Sequence, residues 1–169
     1  METGLYPELR DWVCHSYGNV PLPGVARSPL GYHGHMVMTP LEIFEVMRGA
    51  GFPATVAVTM TAIALRESAG NPGVVNNDAA TGDRSYGLLQ INMKDPNVEK
   101  LIQGKVLLGS AEEGLLDPAL NAKAGFLLWG GTNANLDAAW YINRGVYKQR
   151  YENNLPLAQA AALTSALGA

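Results

Sequence analysis

One carboxylate in this chain stands where a proton could be held for chemistry. Glu67 follows a stretch, residues 53–65, that contains no charged side chain. Pro53 opens that stretch and Gly70 and Pro72 close it, so the spacing predicts a helix over 54–68 with Glu67 near its C-terminal end. A helix apolar on every side is expected to be buried. Burial penalises an ionised carboxyl, and the partial negative charge at a helix C-terminus penalises it further. A glutamic acid that keeps its proton near neutral pH can protonate a glycosidic oxygen. Position alone leaves a blander alternative, a solvated glutamate beside Arg66, since most helical glutamates are exposed.

A second cluster lies about twenty residues on, in Ser85-Tyr86-Gly87-Leu88-Leu89-Gln90-Ile91-Asn92. Gln90 is either a groove residue or an amide that bonds to backbone at a helix end. Ser85 either caps a helix starting near Gly87 or holds the Glu67 carboxyl or a substrate amide. Tyr86 and Trp140 either stack on sugar rings or belong to the core. Asp78 and Asp83, in the turn-rich stretch 71–86, are candidates for a second carboxylate, and they are equally natural turn formers.

Glu67-Ser68 and Gly87-Leu88-Leu89-Gln90, in that order, resemble the lysozyme-like superfamily of soluble lytic transglycosylases and goose-type lysozymes. Leu89 replaces the more usual methionine or tryptophan. The run Asp117-Pro118-Ala119-Leu120-Asn121-Ala122-Lys123-Ala124-Gly125 resembles the helix that follows in such domains. Gly130-Gly131-Thr132-Asn133 and Gly145-Val146-Tyr147-Lys148 are similar to versions carried by bacteriophages. The resemblance spans roughly residues 39–151. It implies that Glu67 is catalytic and that Ser68, Ser85, Tyr86, Gln90, Asn92, Tyr141 and Asn143 contact the glycan. It also implies β-1,4 cleavage between N-acetylmuramic acid and N-acetylglucosamine in peptidoglycan, by a lytic transglycosylase in preference to a hydrolytic muramidase. One departure stands out. The family commonly ends its groove with Ala-Tyr-Asn-Ala-Gly, whereas this chain reads Ala139-Trp140-Tyr141-Ile142-Asn143-Arg144-Gly145. Tyr141 is one residue early, a rotation of about 100° on a helix. Either a local shift brings Tyr141 to the groove, or Tyr147 or Tyr86 substitutes.

The elements that must position these residues are mostly helical. Thr39-Pro40-Leu41-Glu42 has the pattern of a capping box and opens a helix running to Gly49. Further helices are expected over 88–92, within 98–108, over 119–129 after the Asp117-Pro118 cap, over 136–143, over 146–152 and over 155–167. The stretch 71–86 is a loop or a short irregular hairpin. The fold class is therefore mainly α, lysozyme-like α+β: a helical bundle around a buried catalytic helix, with a groove and at most a small β-hairpin. Residues 1–38 read as an irregular extension containing a short helix over 7–15, residues 39–154 as the catalytic domain, and 155–169 as a helical tail.

Composition narrows the partners. Of the 169 residues 47% are hydrophobic and 16% charged, enough apolar material for a core. A net charge of −3 gives no basic footprint for nucleic acid. No apolar run approaches the roughly 20 residues that a membrane span needs. The first ten residues lack the basic patch and apolar run of a secretory signal. The single cysteine, Cys14, forms no intrachain disulfide, and with His15, His33 and His35 it matches no familiar zinc spacing. Asp78 and Asp83 frame a poor calcium loop. No metal or cofactor is expected. The expected partners are peptidoglycan strands and other virion proteins, and the expected setting is a phage virion made in host cytoplasm and acting at the cell wall. The alternative is a structural virion protein with a degenerate lysozyme-like domain.

Overall fold

A computed structural model describes residues 37–103, 105–107 and 110–168. Cys14, His15, His33, His35 and the short helix expected over 7–15 lie outside the described residues. Seven helices and one small sheet are described: α1 (Pro40–Gly49), α2 (Ala54–Ser68), β1 (Val75–Asp78), β2 (Asp83–Tyr86), β3 (Ile91–Asn92), α3 (Pro96–Ile102), α4 (Ala111–Leu115), α5 (Pro118–Trp129), α6 (Asn133–Trp140) and α7 (Gly145–Gly168). This is the mainly α architecture, with a three-stranded antiparallel sheet ordered β1-β2-β3.

Local chemistry sets the helix ends. Thr39 Oγ1 accepts the Glu42 backbone N–H at 3.3 Å, and Glu42 accepts the Thr39 N–H at 2.8 Å, completing the capping box. The Thr39 N–H foremost, and then the Thr39 hydroxyl donating to the same Glu42 oxygen at 2.8 Å, hold the Glu42 carboxyl below the usual carboxylate range. Its capping contribution is therefore present at neutral pH and lost as pH falls through that lowered value. Asp117 caps α5 by accepting the N–H groups of Ala119 and Leu120, both at 2.9 Å. At the other end of α2, Ala69 adopts φ 51° and Gly70 φ 79°. A Cβ at Gly70 would come within 2.7 Å of the Met38 carbonyl oxygen, so only glycine lets the chain approach there.

The core sits around α2. Ala57, Met60, Thr61, Ala62, Ile63 and Ala64 are fully buried on it, as expected of a helix without charge over most of its length. The other face of the core comes from Ile43, Met47, Phe52, Leu88, Leu89, Ile91 and Met93. Phe52, Phe126 and Trp129 pack as a triad, with ring centroids 5.3–5.6 Å apart.

Several expectations change: the sheet has a third strand beyond the hairpin expected, and the helix expected over 136–143 spans Asn133–Trp140. The helix expected over 88–92 is absent: the chain turns at Gly87 (φ 73°) and Gln90 (φ 47°) and enters β3. The buried Asn121 side chain accepts the Leu89 N–H at 2.9 Å and holds the chain in that turn. The helices expected over 146–152 and 155–167 are one, α7, which crosses the 154/155 boundary and contains Pro156. It packs against α2 and α1, burying Ala158 completely and Ala161 to 5% exposure. Leucine at position 158 would overfill that contact, so Ala158→Leu is expected to lower stability by about 1–3 kcal/mol. A urea midpoint equal to that of the unsubstituted protein would contradict this packing.

Candidate active site

Glu67 stands one residue before the end of α2, and its side chain is 24% exposed. The wholly apolar surroundings expected from the sequence are not what its carboxyl meets. Arg66, whose side chain is only 3% exposed, folds beside it: Nε donates to Glu67 Oε1 at 3.1 Å, and Nη2 makes a short contact with the same oxygen. Nη2 also donates to the Trp140 carbonyl oxygen at 2.7 Å, and Nη1 to the Tyr147 carbonyl oxygen at 3.4 Å. The guanidinium carbon lies 5.6 Å from the Tyr147 ring centroid. A buried arginine is stable only when its donors are met. Here they are met by the candidate catalytic oxygen, the end of α6 and the start of α7. Glu67 Oε2 has no hydrogen-bond partner among the described residues.

The second cluster is held from the opposite side. Asn121, fully buried in α5, accepts from Leu89 N and donates through Nδ2 to the carbonyls of Tyr86 (2.8 Å) and Leu115 (2.9 Å). Gly87 fits beneath it only without a side chain, because a Cβ would meet the Leu115 oxygen at 2.1 Å and Asn121 Nδ2 at 2.3 Å. Trp140 then donates its indole N–H to the Leu89 carbonyl at 2.9 Å. One tryptophan therefore touches both clusters, its side chain reaching the 87–90 turn and its carbonyl receiving Arg66.

The expected substrate contacts divide. Gln90, Asn92 and Tyr141 line one cleft of about 460 Å³ together with Lys94, Val98 and Trp140, and Glu67 is not among its lining residues. Gln90 is committed to backbone there, donating to Val74 O at 3.1 Å and Gly87 O at 3.0 Å. Asn92 donates to Asp83 at 2.6 Å and accepts the Lys94 N–H. Tyr141 caps α6 in the left-handed region at φ 52°, which takes it off the helical register and leaves it 43% exposed. Tyr147 is exposed beside it, whereas Tyr86 is 7% exposed and belongs to the core, as does Trp140 at 4%. Asn143 is exposed, with its backbone N–H on Asp137.

Ser68 and Ser85 turn away from these groups. Ser68 is buried and donates to the Ala64 carbonyl at 2.9 Å, the usual outlet for a hydroxyl inside a helix. Ser85 donates to Asp83 at 2.9 Å, not to Glu67. Asp83 also accepts from Asn76 at 2.6 Å, so three side-chain donors engage its carboxylate. Asp78 is exposed at the hairpin end, and its carboxyl is held below its ordinary value by the Ala80 backbone N–H and then by Thr81. Both aspartates order the β1–β2 hairpin. Among the described residues no cluster of ligating side chains could hold a metal ion, and no helix is long and apolar enough to cross a membrane.

A family model described as "Lysozyme like domain" matches residues 44–140, more than half of the chain. The chain belongs to the lysozyme-like domain family. No curated protein and no solved structure matches it. The family supports a glycosidase acting on peptidoglycan in general. The matched stretch of the lysozyme-like domain ends at Trp140, so Tyr141, Asn143 and Tyr147 lie just beyond it. Sequence reasoning passed over Asn121 and Arg66. Asn121 had a usable signal, a polar residue inside an otherwise apolar helix, which must be hydrogen-bonded if buried. Arg66 gave none beyond its place next to Glu67, since its two backbone acceptors lie 74 and 81 residues away. Removing the Asn121 amide would leave three buried backbone groups unpaired. Asn121→Ala is therefore expected to cost about 3 kcal/mol, read as a fall in the denaturant midpoint. A shift of a few tenths would mean the 87–90 turn is held by other contacts.

Proposed function

We propose that this lysozyme-like domain is a lytic transglycosylase that cleaves the β-1,4 bond between N-acetylmuramic acid and N-acetylglucosamine, with Glu67 as acid and then base. The observation that carries the reading is the clasped Glu67 carboxyl, fixed through Oε1 by Arg66 while Oε2 has no hydrogen-bond partner among the described residues. Oε2 protonates the glycosidic oxygen as the bond from that oxygen to the muramyl C1 breaks. The carbonyl of the muramyl N-acetyl group stabilises the positive charge at C1. The C6 hydroxyl then gives its proton back to Glu67 while O6 bonds to C1, closing a 1,6-anhydro ring. No water is consumed, and one carboxyl serves both steps.

A second free carboxylate would favour hydrolysis, since retaining and inverting glycosidases ordinarily use two. Asp83 is engaged by three side-chain donors of the hairpin and Asp78 serves a turn, which favours the single-acid route. In this reading Gln90, Asn92 and Tyr141 line the path of the glycan along the cleft. The similarity of residues 130–133 and 145–148 to phage-borne versions supports delivery by a virion, where the chain would also meet other virion proteins. Detecting it in purified particles tests that setting, and its absence from them would remove it.

Glu67→Gln keeps the shape and loses the proton, so muropeptide release is expected to fall by about 10²–10⁴-fold. Comparable release by this variant would end the proposal. Mass spectrometry of the products separates the two chemistries, because anhydro-muramyl ends are lighter than reducing ends by one water. Reducing ends alone would assign a hydrolytic muramidase. Arg66→Met keeps the buried stem but frees the carboxyl, and kcat is expected to drop up to about 100-fold with KM little changed. A change confined to KM would instead put Arg66 in substrate binding.

A further inference from the structure

Tyr141 and Tyr147 are the only exposed aromatic residues among the described residues, 43% and 47% exposed. Their ring centroids lie 5.8 Å apart with the planes inclined at 42°. Each ring is paired with a guanidinium. The Arg66 carbon is 5.6 Å from the Tyr147 centroid, and the Arg144 carbon is 4.9 Å from the Tyr141 centroid. The two arginines differ in what they can still do. Arg66 is buried and its donors are used. Arg144 is 62% exposed, and only its Nε faces a carboxylate, Asp137 Oδ2 at 3.8 Å. Asp137 itself is fixed by accepting the Asn143 N–H at 3.0 Å. The terminal nitrogens of Arg144 have no hydrogen-bond partner among the described residues, so the forked end is presented outward.

An inclined pair of tyrosyl faces accepts the C–H face of a pyranose ring, and a forked guanidinium at its rim accepts a carboxylate through two parallel N–H donors. Arg66 joins this platform directly to Glu67. We infer that Tyr141, Tyr147 and Arg144 form a subsite for the muramyl residue, in which Arg144 reads a carboxylate on its 3-O-lactyl arm. That carboxylate is the lactyl group's own where the stem peptide has been removed, and one of the peptide's where it remains. The inference rests on the glycosidase reading and deepens it, by naming the feature that separates a muramyl strand from a neutral chitin-like one. With a chain net charge of −3, discrimination falls to this local cation and not to a general positive field.

The test measures binding to the uncleaving Glu67→Gln protein by calorimetry with four tetrasaccharide probes. These are chitotetraose, a denuded glucosaminyl–muramyl tetrasaccharide with free lactyl carboxylates, the same compound with those carboxylates amidated, and the peptide-bearing form. An anionic probe should bind about tenfold tighter than the amidated probe and chitotetraose, one such step corresponding to a single charge-assisted contact. Adding Arg144→Met should erase that difference, and adding Tyr147→Ala should weaken all four. An advantage of the denuded probe identifies the lactyl carboxylate as the ligand, and an advantage of the peptide-bearing probe alone identifies the stem. Equal binding of charged and neutral probes, or a preference that survives Arg144→Met, overturns the subsite and leaves the glycosidase reading intact. Failure to bind any of the four overturns both.

Discussion

A guanidinium taken out of water must be given acceptors, and in this protein that requirement organises the site. Burying an unpaired charge costs several kcal/mol even after relaxation, whereas a fully hydrogen-bonded one is tolerated. Arg66 lies on the last turn of the most deeply buried helix, and its donors are met only if α6 ends and α7 begins where they do. The carboxyl of Glu67 is the remaining acceptor. The same interaction therefore sets the orientation of the candidate acid and the corner at which the exposed tyrosines stand. Function and packing share one residue here, so neither can vary freely without the other.

A second polar anchor, Asn121, does for the 87–90 turn what Arg66 does for the α6–α7 corner. Its amide meets three backbone groups, and Gly87 allows the close approach. Trp140 then couples the two anchors, donating to Leu89 while accepting from Arg66. Gln90 and Glu67 are thus both presented by rigid core and not by free loops, which is the condition for holding reacting groups within fractions of an ångström. The cleft lined by Gln90 and Tyr141 borders the corner that Arg66 ties to Glu67.

What could be read from the sequence follows from how local each cause is. The capping box at Thr39, the Asp117 cap and the span of α2 depend on residues within one turn, and the chain obeys them. The three-stranded sheet was legible only as turn-rich sequence, because four-residue strands carry little periodic signal. The stretch 88–92 carries helix-compatible residues, yet Asn121, some thirty residues later, captures its backbone. The roles of Ser68 and Ser85 followed from motif likeness, and their hydroxyls are spent on Ala64 and Asp83. A motif names a residue, but it does not say which way the side chain turns. Arg66 lies beyond any local reading, because its meaning depends on carbonyls in a different part of the chain.

Backbone strain gives an independent mark of where this fold concentrates its demands. Three described residues other than glycine sit in the left-handed region: Ala69, Gln90 and Tyr141. Each conformation costs roughly 1–2 kcal/mol for an L-residue with a side chain, so it persists only where surroundings impose it. Ala69 ends α2 two residues past Glu67, Gln90 ends the turn held by Asn121, and Tyr141 ends α6 beside the carbonyl that receives Arg66. Glycine would relieve all three at no steric penalty, yet the cleft would then lose the Gln90 amide and the Tyr141 ring. The strain falls on the residues that border the candidate acid and the cleft, and the buried core of α2 and α5 offsets it. Ala69 and Tyr141 take the left-handed conformation as helix C-caps, satisfying the Leu65 and Asp137 carbonyls, so Gln90 is the position where the turn held by Asn121 imposes it.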